Sequence, residues 1–371
     1  MAASVAPLIT PNETNPLFND NSLKLGLFAL NSGGTMMSLA PDRFTVDWDR
    51  CDEAMRLASS AGFEVMVSLS TWDRPEFEPF TWTAALGARH PKIATITTLH
   101  VQLMHPTFVA RAIATADHIT KGRASINIVA GSNPATYAAF GMPFEDHEVR
   151  YAHAEEFMEL LYLLWSSEGP VSFEGRFYKI KDALCRPKPV QGRPAIMNAG
   201  TSERGLDFAA KHADVVFTHL PDGDLEATRK LTAHCKSVAL SKYRRKVQVW
   251  THGYVVMRET QAEADAFLHY YAVEYADRAR VEAYTKTLSQ SADSKTESWK
   301  FARNWAAGGG IALVGTPDSV AQQLVTLNKA GVDGILLNSI EPERMLATAV
   351  RELLPLLDQA GVRSSKSSLN A

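Results

Sequence analysis

Short apolar runs alternate along this chain with longer segments whose apolar residues recur at helical spacing. Eight runs have the length and composition of β-strands, and they occupy residues 23–30, 64–70, 93–99, 124–130, 194–200, 214–219, 247–257 and 334–340. The intervening segments include WDRCDEAMRLASSAG, TFVARAIATADHIT, RYAHAEEFMELLYLLW, SERGLDFAAKHA and SVAQQLVTLNKAG. Strict alternation forces parallel strands, and eight of them can close. The pattern therefore predicts an α/β fold, a single (β/α)8 TIM barrel with insertions, rather than an open doubly wound sheet.

Two segments interrupt the alternation. VSFEGRFYKIKD at 171–182, within an insertion at about 168–190, is typical of a hairpin. Residues 275–310, rich in Ser, Thr, Lys and Gly, follow the seventh strand and are expected to form a lid over the active site, with a disordered surface loop as the alternative. We expect the barrel to span 23–362, after a flexible leader at 1–22 and before a tail at 363–371.

Composition excludes several classes of function. The 371 residues include 38 basic and 41 acidic ones without any long basic cluster, so no nucleic-acid or anionic-membrane surface is indicated. No stretch of about 18 apolar residues occurs. Cys51, Cys185 and Cys235 are too widely spaced to indicate a disulfide framework or a zinc site, and we expect a cytoplasmic protein. Dinucleotide, P-loop, HExxH and GxSxG motifs are absent.

The fourth strand, ASINIVA, carries a carboxamide, Asn127, among apolar residues. Burial of an unpaired amide costs about 1 to 3 kcal/mol, so Asn127 either closes a structural hydrogen bond or faces something polar. Because side chains alternate along a strand, Ala124, Ile126 and Ile128 should meet the helices while Asn127 faces the lumen.

The same period of two collects further polar groups at the lumen mouth. We expect Thr98 and His100 there from the third strand, Asn198 with Gly200 from the fifth, and Trp250 with His252 from the seventh. The set lacks the paired carboxylates of a glycosidase or of a metal-dependent hydrolase. Donors without acids or nucleophiles suit a reaction whose chemistry belongs to a bound organic cofactor.

Each of these residues also has a structural interpretation. A threonine at a position such as Thr98 is more often a β-branched strand residue, and histidines such as those at 100, 105, 219 and 252 are more often hydrogen-bonded wall residues, here without metal spacing. Trp72 and Trp250 fit the core or rim of the barrel, although an aromatic side chain at a pocket mouth often stacks on a planar ligand.

GTSERG at 200–205 is the pattern of an anion site, with backbone N–H groups after Gly200 and Ser202 in capping position before a helix. A plain N-cap is the alternative. Arg150 and Tyr151 lie at the start of the preceding long helix. If the anion is a phosphate, they could contribute a guanidinium and a phenol to its binding.

These residues resemble the flavin-dependent monooxygenases of the bacterial-luciferase superfamily, whose fold is a (β/α)8 barrel with insertions. The resemblance covers about residues 23–361, and its branch is that of pyrimidine oxygenases and dimethyl sulfone monooxygenases. It rests on HPTFVARAIATADHITKGRASINIVAG (105–131), HEVRYAHAEEFMELLYLLW (147–165), FEGRFYKI with PKPVQGRPAIMNAGTSERG (187–205), and LVGTPDSVAQQL (313–324).

The resemblance implies a two-component enzyme. A separate NAD(P)H:FMN reductase would supply FMNH2, O2 would be the co-substrate, and a flavin peroxide, C4a or N5, would oxygenate a small heterocycle, amide, sulfone or halogenated ring. Thr98 and Asn127 are then the catalytic pair that holds O2 beside flavin N5. Relatives form homodimers or homotetramers. A deazaflavin-dependent oxidoreductase and a non-catalytic flavin-binding protein remain alternatives on the same fold.

Further positions follow from the same resemblance. It implies that Ser70, Thr71 and Thr136 contact the flavin ring, and that the phosphate is bound by Arg150, Tyr151, Gly200, Thr201 and Ser202. Trp72, His100, His105, Ser132, Trp250 and His252 would line the substrate pocket. Ser132 replaces an aromatic residue of the pyrimidine oxygenases, and Thr71 and Thr136 replace charged ones, which places a pyrimidine substrate in doubt.

Overall fold

The computed structural model describes residues 15–131, 133–221, 223–291 and 299–364. Its strands, in chain order, are β1 (Lys24–Phe28), β2 (Val65–Val67), β3 (Ala94–His100), β4 (Ala124–Val129), β5 (Val171–Glu174), β6 (Lys179–Ala183), β7 (Ala195–Asn198), β8 (Val215–Phe217), β9 (Gln248–Met257), β10 (Ile311–Gly315) and β11 (Gly334–Asn338). Eight of them, β1 to β4, β7 to β9 and β11, pair in parallel and close through β8 and β9. The predicted TIM barrel and all eight of its strands are confirmed.

The helices are α1 (Trp48–Ser60), α2 (Pro79–Arg89), α3 (Pro106–Ile119), α4 (Pro134–Ala138), α5 (His147–Ser166), α6 (Glu203–His212), α7 (Leu225–Tyr243), α8 (Gln261–His269), α9 (Arg278–Ser291), α10 (Trp299–Ala307), α11 (Pro317–Lys329), α12 (Pro342–Thr348) and α13 (Leu354–Gln359). Several begin at a side chain that accepts a first-turn N–H, such as Asp47, Ser202, Asp224 and Thr316. These caps satisfy backbone donors that a helix start leaves unpaired, which fixes where each helix begins.

The hydrogen-bond register defines the shape of the barrel. From Thr98 on β3, the register runs through β4, β7 and β8 to Gln248 on β9. In the other direction, through β2, β1 and β11, it reaches β9 at Val256. The two positions are eight residues apart, which is the shear of a (β/α)8 barrel.

Side chains inside the barrel form a core of their own. Val67, Ile96, Met197, Trp250 and Leu336 lie in this cluster and are almost completely buried. Residues on the opposite face of the barrel strands, such as Ile126 on β4 and Ile196 on β7, pack instead against the helices. The barrel is therefore filled below its mouth.

The predicted hairpin is confirmed, because β5 and β6 pair antiparallel. Helices α2 and α7 and strand β10 were not predicted from the sequence; β10 pairs with the outer half of β9. The expected excursion at 275–310 contains α9 and α10, and residues 292–298 within it lie outside the described part of the chain.

The leader prediction is wrong for residues 15–22, which are packed. Leu17 is 1% exposed and belongs to the cluster inside the barrel, and Asn15 Nδ2 donates to Gln191 Oε1 at 2.9 Å. The predicted tail likewise begins with a buried residue, since Arg363 donates to the Glu64 carboxylate at 3.2 Å. The residues before β1 and those after α13 thus meet under the barrel, where the buried Leu17 side chain and the ion pair of Arg363 with Glu64 fix them. Of the leader and tail, residues 1–14 and 365–371 lie outside the described range.

Within the described ranges, no helix has both the length and the apolar character that a membrane crossing requires.

Candidate active site

Thr98 and His252 face each other across the barrel mouth. β3 and β9 are four strands apart in either direction. The β9 residue level with Thr98 lies midway between Gln248 and Val256, the two positions that the register reaches, and this residue is His252. The same construction places Phe28 and Ala199 at this level, which completes a layer of four side chains from alternate strands.

Asn127 and Thr98 form a hydrogen-bonded pair on the lumen face, as the alternation of β4 predicted. Asn127 Nδ2 donates to Thr98 Oγ1 at 3.1 Å. The Thr98 hydroxyl donates in turn to the carbonyl oxygen of Ser68, so its hydrogen is already used. The amide must therefore present its NH2 group to Thr98, and this network assigns its orientation.

The orientation leaves one atom of the pair unsatisfied. Asn127 is 5% exposed, and its Oδ1 has no hydrogen-bond partner among the described residues. A buried acceptor without a partner costs about 1 to 3 kcal/mol, which a donor from a bound ligand would recover. The lumen thus presents an unpaired acceptor beside a hydroxyl fixed by the backbone.

His100 lies two residues after Thr98 on the same face of β3, one layer closer to the barrel mouth. Its Nε2 bonds the carbonyl oxygen of Ser70 at 2.8 Å, and its Nδ1 is buried without a partner in the described chain. Ser70 Oγ accepts from Trp72 Nε1 at 3.0 Å. Trp72 has a φ of 62°, a left-handed conformation that is rare for a large residue and is held here by its bonds to Ser70 and Glu76.

Thr71 and Thr136 lie together, but their hydroxyls have protein partners. Thr71 Oγ1 bonds Glu76 Oε2 at 3.0 Å, and Thr136 Oγ1 donates to the Thr71 carbonyl oxygen at 2.8 Å. Thr136 is 1% exposed. Both residues shape the loop at the rim, whereas Ser70 lies closer to the lumen histidine.

The predicted anion site is brought together by α5 and α6. Ser202 caps α6 by accepting from Gly205 N at 3.0 Å, and His147 Nε2 bonds the same hydroxyl at 3.1 Å. Tyr151 packs against His147, with ring centroids 4.9 Å apart, and its hydroxyl would meet any Cβ added at Gly205 at 2.5 Å. Gly200 is equally constrained, because its Cβ would lie 2.6 Å from Gly205 Cα.

This arrangement leaves backbone N–H groups at the start of a ten-residue helix open beside Thr201 and Ser202, which are both exposed. Arg150 is close by, with its guanidinium 4.2 Å over the Phe144 ring and one nitrogen bonded to the Glu145 carbonyl oxygen. The site therefore offers a hydroxyl, a phenol, an imidazole and a nearby guanidinium to an anion.

Some predicted site residues lie elsewhere. The prediction for Asn198 is wrong, because Asn198 shares the outward face of Ile196, and its amide links the Ile128 carbonyl oxygen at 2.7 Å with Gly200 N at 3.0 Å. A carboxamide is satisfied on that face by neighbouring backbone groups, so its polarity did not indicate the lumen. Asn198 instead holds the loop at Gly200 that leads into the predicted anion site.

Two predicted substrate residues are also peripheral. Trp250 is fully buried one layer below His252, and its Nε1 donates to Gln248 Oε1 at 2.8 Å, so it forms the floor. His105 is exposed, caps α3 and packs on Tyr178 of the hairpin, away from the lumen residues. Ser132 lies outside the described residues.

His219 is a residue of the site that was not predicted from the sequence. His219 follows Phe217 by two residues on the lumen face, and its ring is 5.3 Å from that of His252 and 6.0 Å from that of Trp305 on α10. The alternation of β8 was a usable signal for His219, whereas Trp305 enters the site only through the packing of α10.

Burial lowers the pKa values of the three lumen histidines. The pKa of His252 falls to about 3 through desolvation, with a smaller effect of His219, and those of His100 and His219 are also lowered by burial. All three imidazoles are therefore neutral near pH 7. Among the described residues, no three His, Cys, Asp or Glu side chains are grouped so that they could hold a metal ion.

The chain is similar to known proteins over most of its length. The chain is 27% identical over 354 residues to an FMNH2-dependent dimethylsulfone monooxygenase of Pseudomonas fluorescens, covering 91% of this chain and 94% of the relative. It is 28% identical over 341 residues to a pyrimidine monooxygenase of Acinetobacter baylyi, covering 85% and 89% of the two chains.

Solved structures share the fold. The EDTA monooxygenase of Chelativorans sp. BNC1 superposes with a TM-score of 0.79 at 24% identity, over 93% of this chain and 95% of that one. Residues 23–334 match the luciferase-like monooxygenase family. The alternation, the closed barrel and this match lead to one conclusion: the chain belongs to the luciferase-like monooxygenase family.

Proposed function

We propose that this protein is the oxygenase of a two-component monooxygenase: it takes FMNH2 from a separate NAD(P)H:FMN reductase and inserts one atom of O2 into a small organic substrate. The balance is substrate plus O2 plus FMNH2 to oxygenated substrate, FMN and water. The observation that carries the proposal is the unpaired Oδ1 of Asn127 beside the fixed Thr98 hydroxyl. FMNH2, when bound, supplies the two electrons for O2 activation.

The residues present fit reduced FMN. Asn127 Oδ1 is an acceptor, so it suits a ring N–H of a reduced flavin, and the second hydrogen of Nδ2 is available to a bound oxygen atom. Ser202, Tyr151 and the open N–H groups of α6 would hold the phosphate, with Arg150 and Thr201 beside them. Both groups of residues lie at the carboxyl ends of the barrel strands, where active sites of this fold are found.

Asn127 and Thr98 would act by position rather than as nucleophiles. Thr98 is held from two sides, since its N–H donates to Ser68 Oγ at 3.0 Å and its hydroxyl donates to the Ser68 carbonyl oxygen. The pair therefore needs no reorganisation when charge develops on oxygen, which is the condition for electrostatic stabilisation. The filled layers below exclude water from one side, and α9 with α10, whose Trp305 contacts His219, would cover the other.

A coupled assay tests this proposal. The protein is mixed with a flavin reductase, NADH, FMN and 18O2, and label is sought in the products of dimethyl sulfone, uracil and related small molecules. We expect O2-dependent incorporation of one 18O atom. Anaerobic hydride transfer to a deazaflavin would support the alternative oxidoreductase, and flavin binding without O2 consumption would support a non-catalytic flavoprotein.

Asn127→Ala separates binding from chemistry. We expect this variant to retain FMNH2 binding within about threefold and to lose about 100-fold in oxygenation, as when one preorganised polar group is removed. Ser125→Ala is the matched control, because Ser125 lies two residues earlier on the same face of β4 and its hydroxyl is also buried without a partner in the described chain. Normal turnover of Asn127→Ala contradicts its role.

A further inference from the structure

His252 and His219 form a pair of imidazoles on the wall of the lumen opposite Asn127 and Thr98. The pair is surrounded by rings, with the His252 ring 5.3 Å from Phe28 and 5.6 Å from Phe217. His252 is 4% exposed, and its Nδ1 has no hydrogen-bond partner among the described residues. A polar atom that is buried and unpaired on the lumen face points to a ligand group that completes its hydrogen bond.

His219 follows Phe217 by two residues and stands above His252 as an exposed residue at the mouth of the barrel, where nearby protein atoms still lower its pKa by desolvation. Trp305 closes the same wall from α10. The gap between Thr98 on one side and His252 on the other is therefore bounded by hydrogen-bonding groups on both walls.

The lumen face around this gap carries no formal charge. The described side chains of the upper layers are Phe28, Leu69, Thr98, His100, Asn127, Val129, Ala199, Phe217, His219, His252 and Asn338. An anion placed among them would lose its hydration without gaining a countercharge, which is strongly unfavourable. Charged groups occur beyond Trp305, where its neighbour Tyr284 interacts with Arg74 and Asp73 and where Arg280 interacts with the same two residues; Arg74 and Arg280 form the cationic part of this rim.

We propose that His252 and His219 are the substrate-binding wall of this site and select a compact, uncharged molecule that bears a hydrogen-bonding heteroatom. This inference rests on the proposed function, because the reacting atom of the substrate would lie between this wall and the Thr98–Asn127 pair. The low pKa of His252 agrees with it, since a neutral imidazole offers one donor and one acceptor but no charge.

Isothermal titration with two matched probe pairs tests the selection by charge. Uracil is compared with orotate, its anionic carboxylate derivative, and dimethyl sulfone with methanesulfonate, on the whole protein with and without FMN. We expect at least one neutral compound to bind at least 10-fold more tightly than its anionic counterpart. Equal or tighter binding of the anions, as the Arg74 and Arg280 rim would favour, overturns the proposal, and so does the absence of binding by both neutral compounds.

Variants locate the effect. His252→Phe keeps a ring of similar size without its hydrogen-bonding atoms, and it should raise the dissociation constant of the neutral probe about 10-fold, as expected for one lost hydrogen bond. His252→Gln should recover part of the affinity, and His234→Phe, an exposed imidazole of α7, should change nothing. A His252→Phe variant that binds as the wild type does overturns the proposal.

These outcomes are distinct from failure of the proposed function. If FMN is not bound, or if no oxygen atom is transferred, the monooxygenase assignment fails, while the probe titration without FMN still reports on the wall. The FMN dissociation constant and the unfolding midpoint of each variant are measured alongside, so that a loss of affinity from misfolding is recognised.

Discussion

Thr98→Val tests whether the hydroxyl of Thr98 sets the orientation of the Asn127 amide. The substitution keeps the shape of the side chain and removes two hydrogen bonds, the one accepted from Asn127 Nδ2 at 3.1 Å and the one donated to the Ser68 carbonyl oxygen. Both former partners would be buried, and each unpaired group costs about 1 to 2 kcal/mol. The variant should therefore be about 2 to 4 kcal/mol less stable.

The corresponding shift in melting temperature follows from the size of the chain. An unfolding entropy of about 2.1 cal/mol/K per residue gives roughly 0.8 kcal/mol/K for 371 residues, so the expected decrease is about 3 to 5 °C. The Asn127 amide would also be free to flip by about 180°. Product formation should then fall about 100-fold, while FMNH2 oxidation by O2 continues and releases hydrogen peroxide.

The assay measures O2 consumption, product and hydrogen peroxide together, with differential scanning calorimetry on the same preparations. Thr98→Ser, which retains the hydroxyl, should restore most of the coupling. If Thr98→Val forms product as fast as the wild type and melts at the same temperature, the Thr98 hydroxyl does not determine the orientation of the Asn127 amide, and the proposed role of the pair is wrong.

Three further changes have defined outcomes. Ser202→Ala removes the cap of Gly205 N, so it should weaken FMN binding about 10-fold in a fluorescence titration and destabilise the protein by about 1 kcal/mol. Arg363→Met leaves the buried Glu64 carboxylate without its cation and should cost about 3 to 5 kcal/mol in urea unfolding, with activity at 25 °C retained. The pKa of His252 in the folded protein, about 3, lies below its value in the unfolded chain, so protonation favours unfolding as the pH falls from about 6.5 towards 3. Between pH 7 and pH 5 the wild type should therefore lose about 2 kcal/mol more of its unfolding free energy than His252→Phe does. Urea unfolding curves that shift equally with pH in both proteins would contradict this.

The barrel could be predicted from the sequence because its strands alternate with helices and each strand is a compact apolar run. The phase of β4 was also predictable, since Asn127 is flanked by Ile126 and Ile128 and only one face can be apolar. The phase of β7 was not, because the sequence AIMNA is apolar on both faces apart from Asn198. That amide is satisfied outside the barrel by the Ile128 carbonyl oxygen, an interaction no local pattern encodes.

Which residues face each other across the lumen could not be predicted from the sequence, for a different reason. Whether His252 stands level with Thr98 depends on the shear, which is the sum of the offsets at all eight strand pairings, and a change at any one pairing moves the opposite wall. The sequence indicates which residues face inward, but the register determines which of them meet. The position of Trp305 is even harder to predict, because α10 belongs to the long segment after β9 and contacts His219 only through tertiary packing.

The unsatisfied atoms of the lumen connect the fold to its function. Asn127 Oδ1, His100 Nδ1 and His252 Nδ1 are buried, and none has a partner in the described chain, whereas two other buried polar groups, Asn198 on the outer face and Glu64 below the barrel, are paired. Three such atoms cost the folded protein several kcal/mol, at about 1 to 3 kcal/mol each. A fold tolerates that cost where bound molecules supply the missing partners. Asn127 Oδ1 and His100 Nδ1 belong to the adjacent strands β4 and β3, whereas His252 Nδ1 belongs to the opposite wall, an arrangement in which a cofactor and a substrate held face to face would each find a buried polar partner.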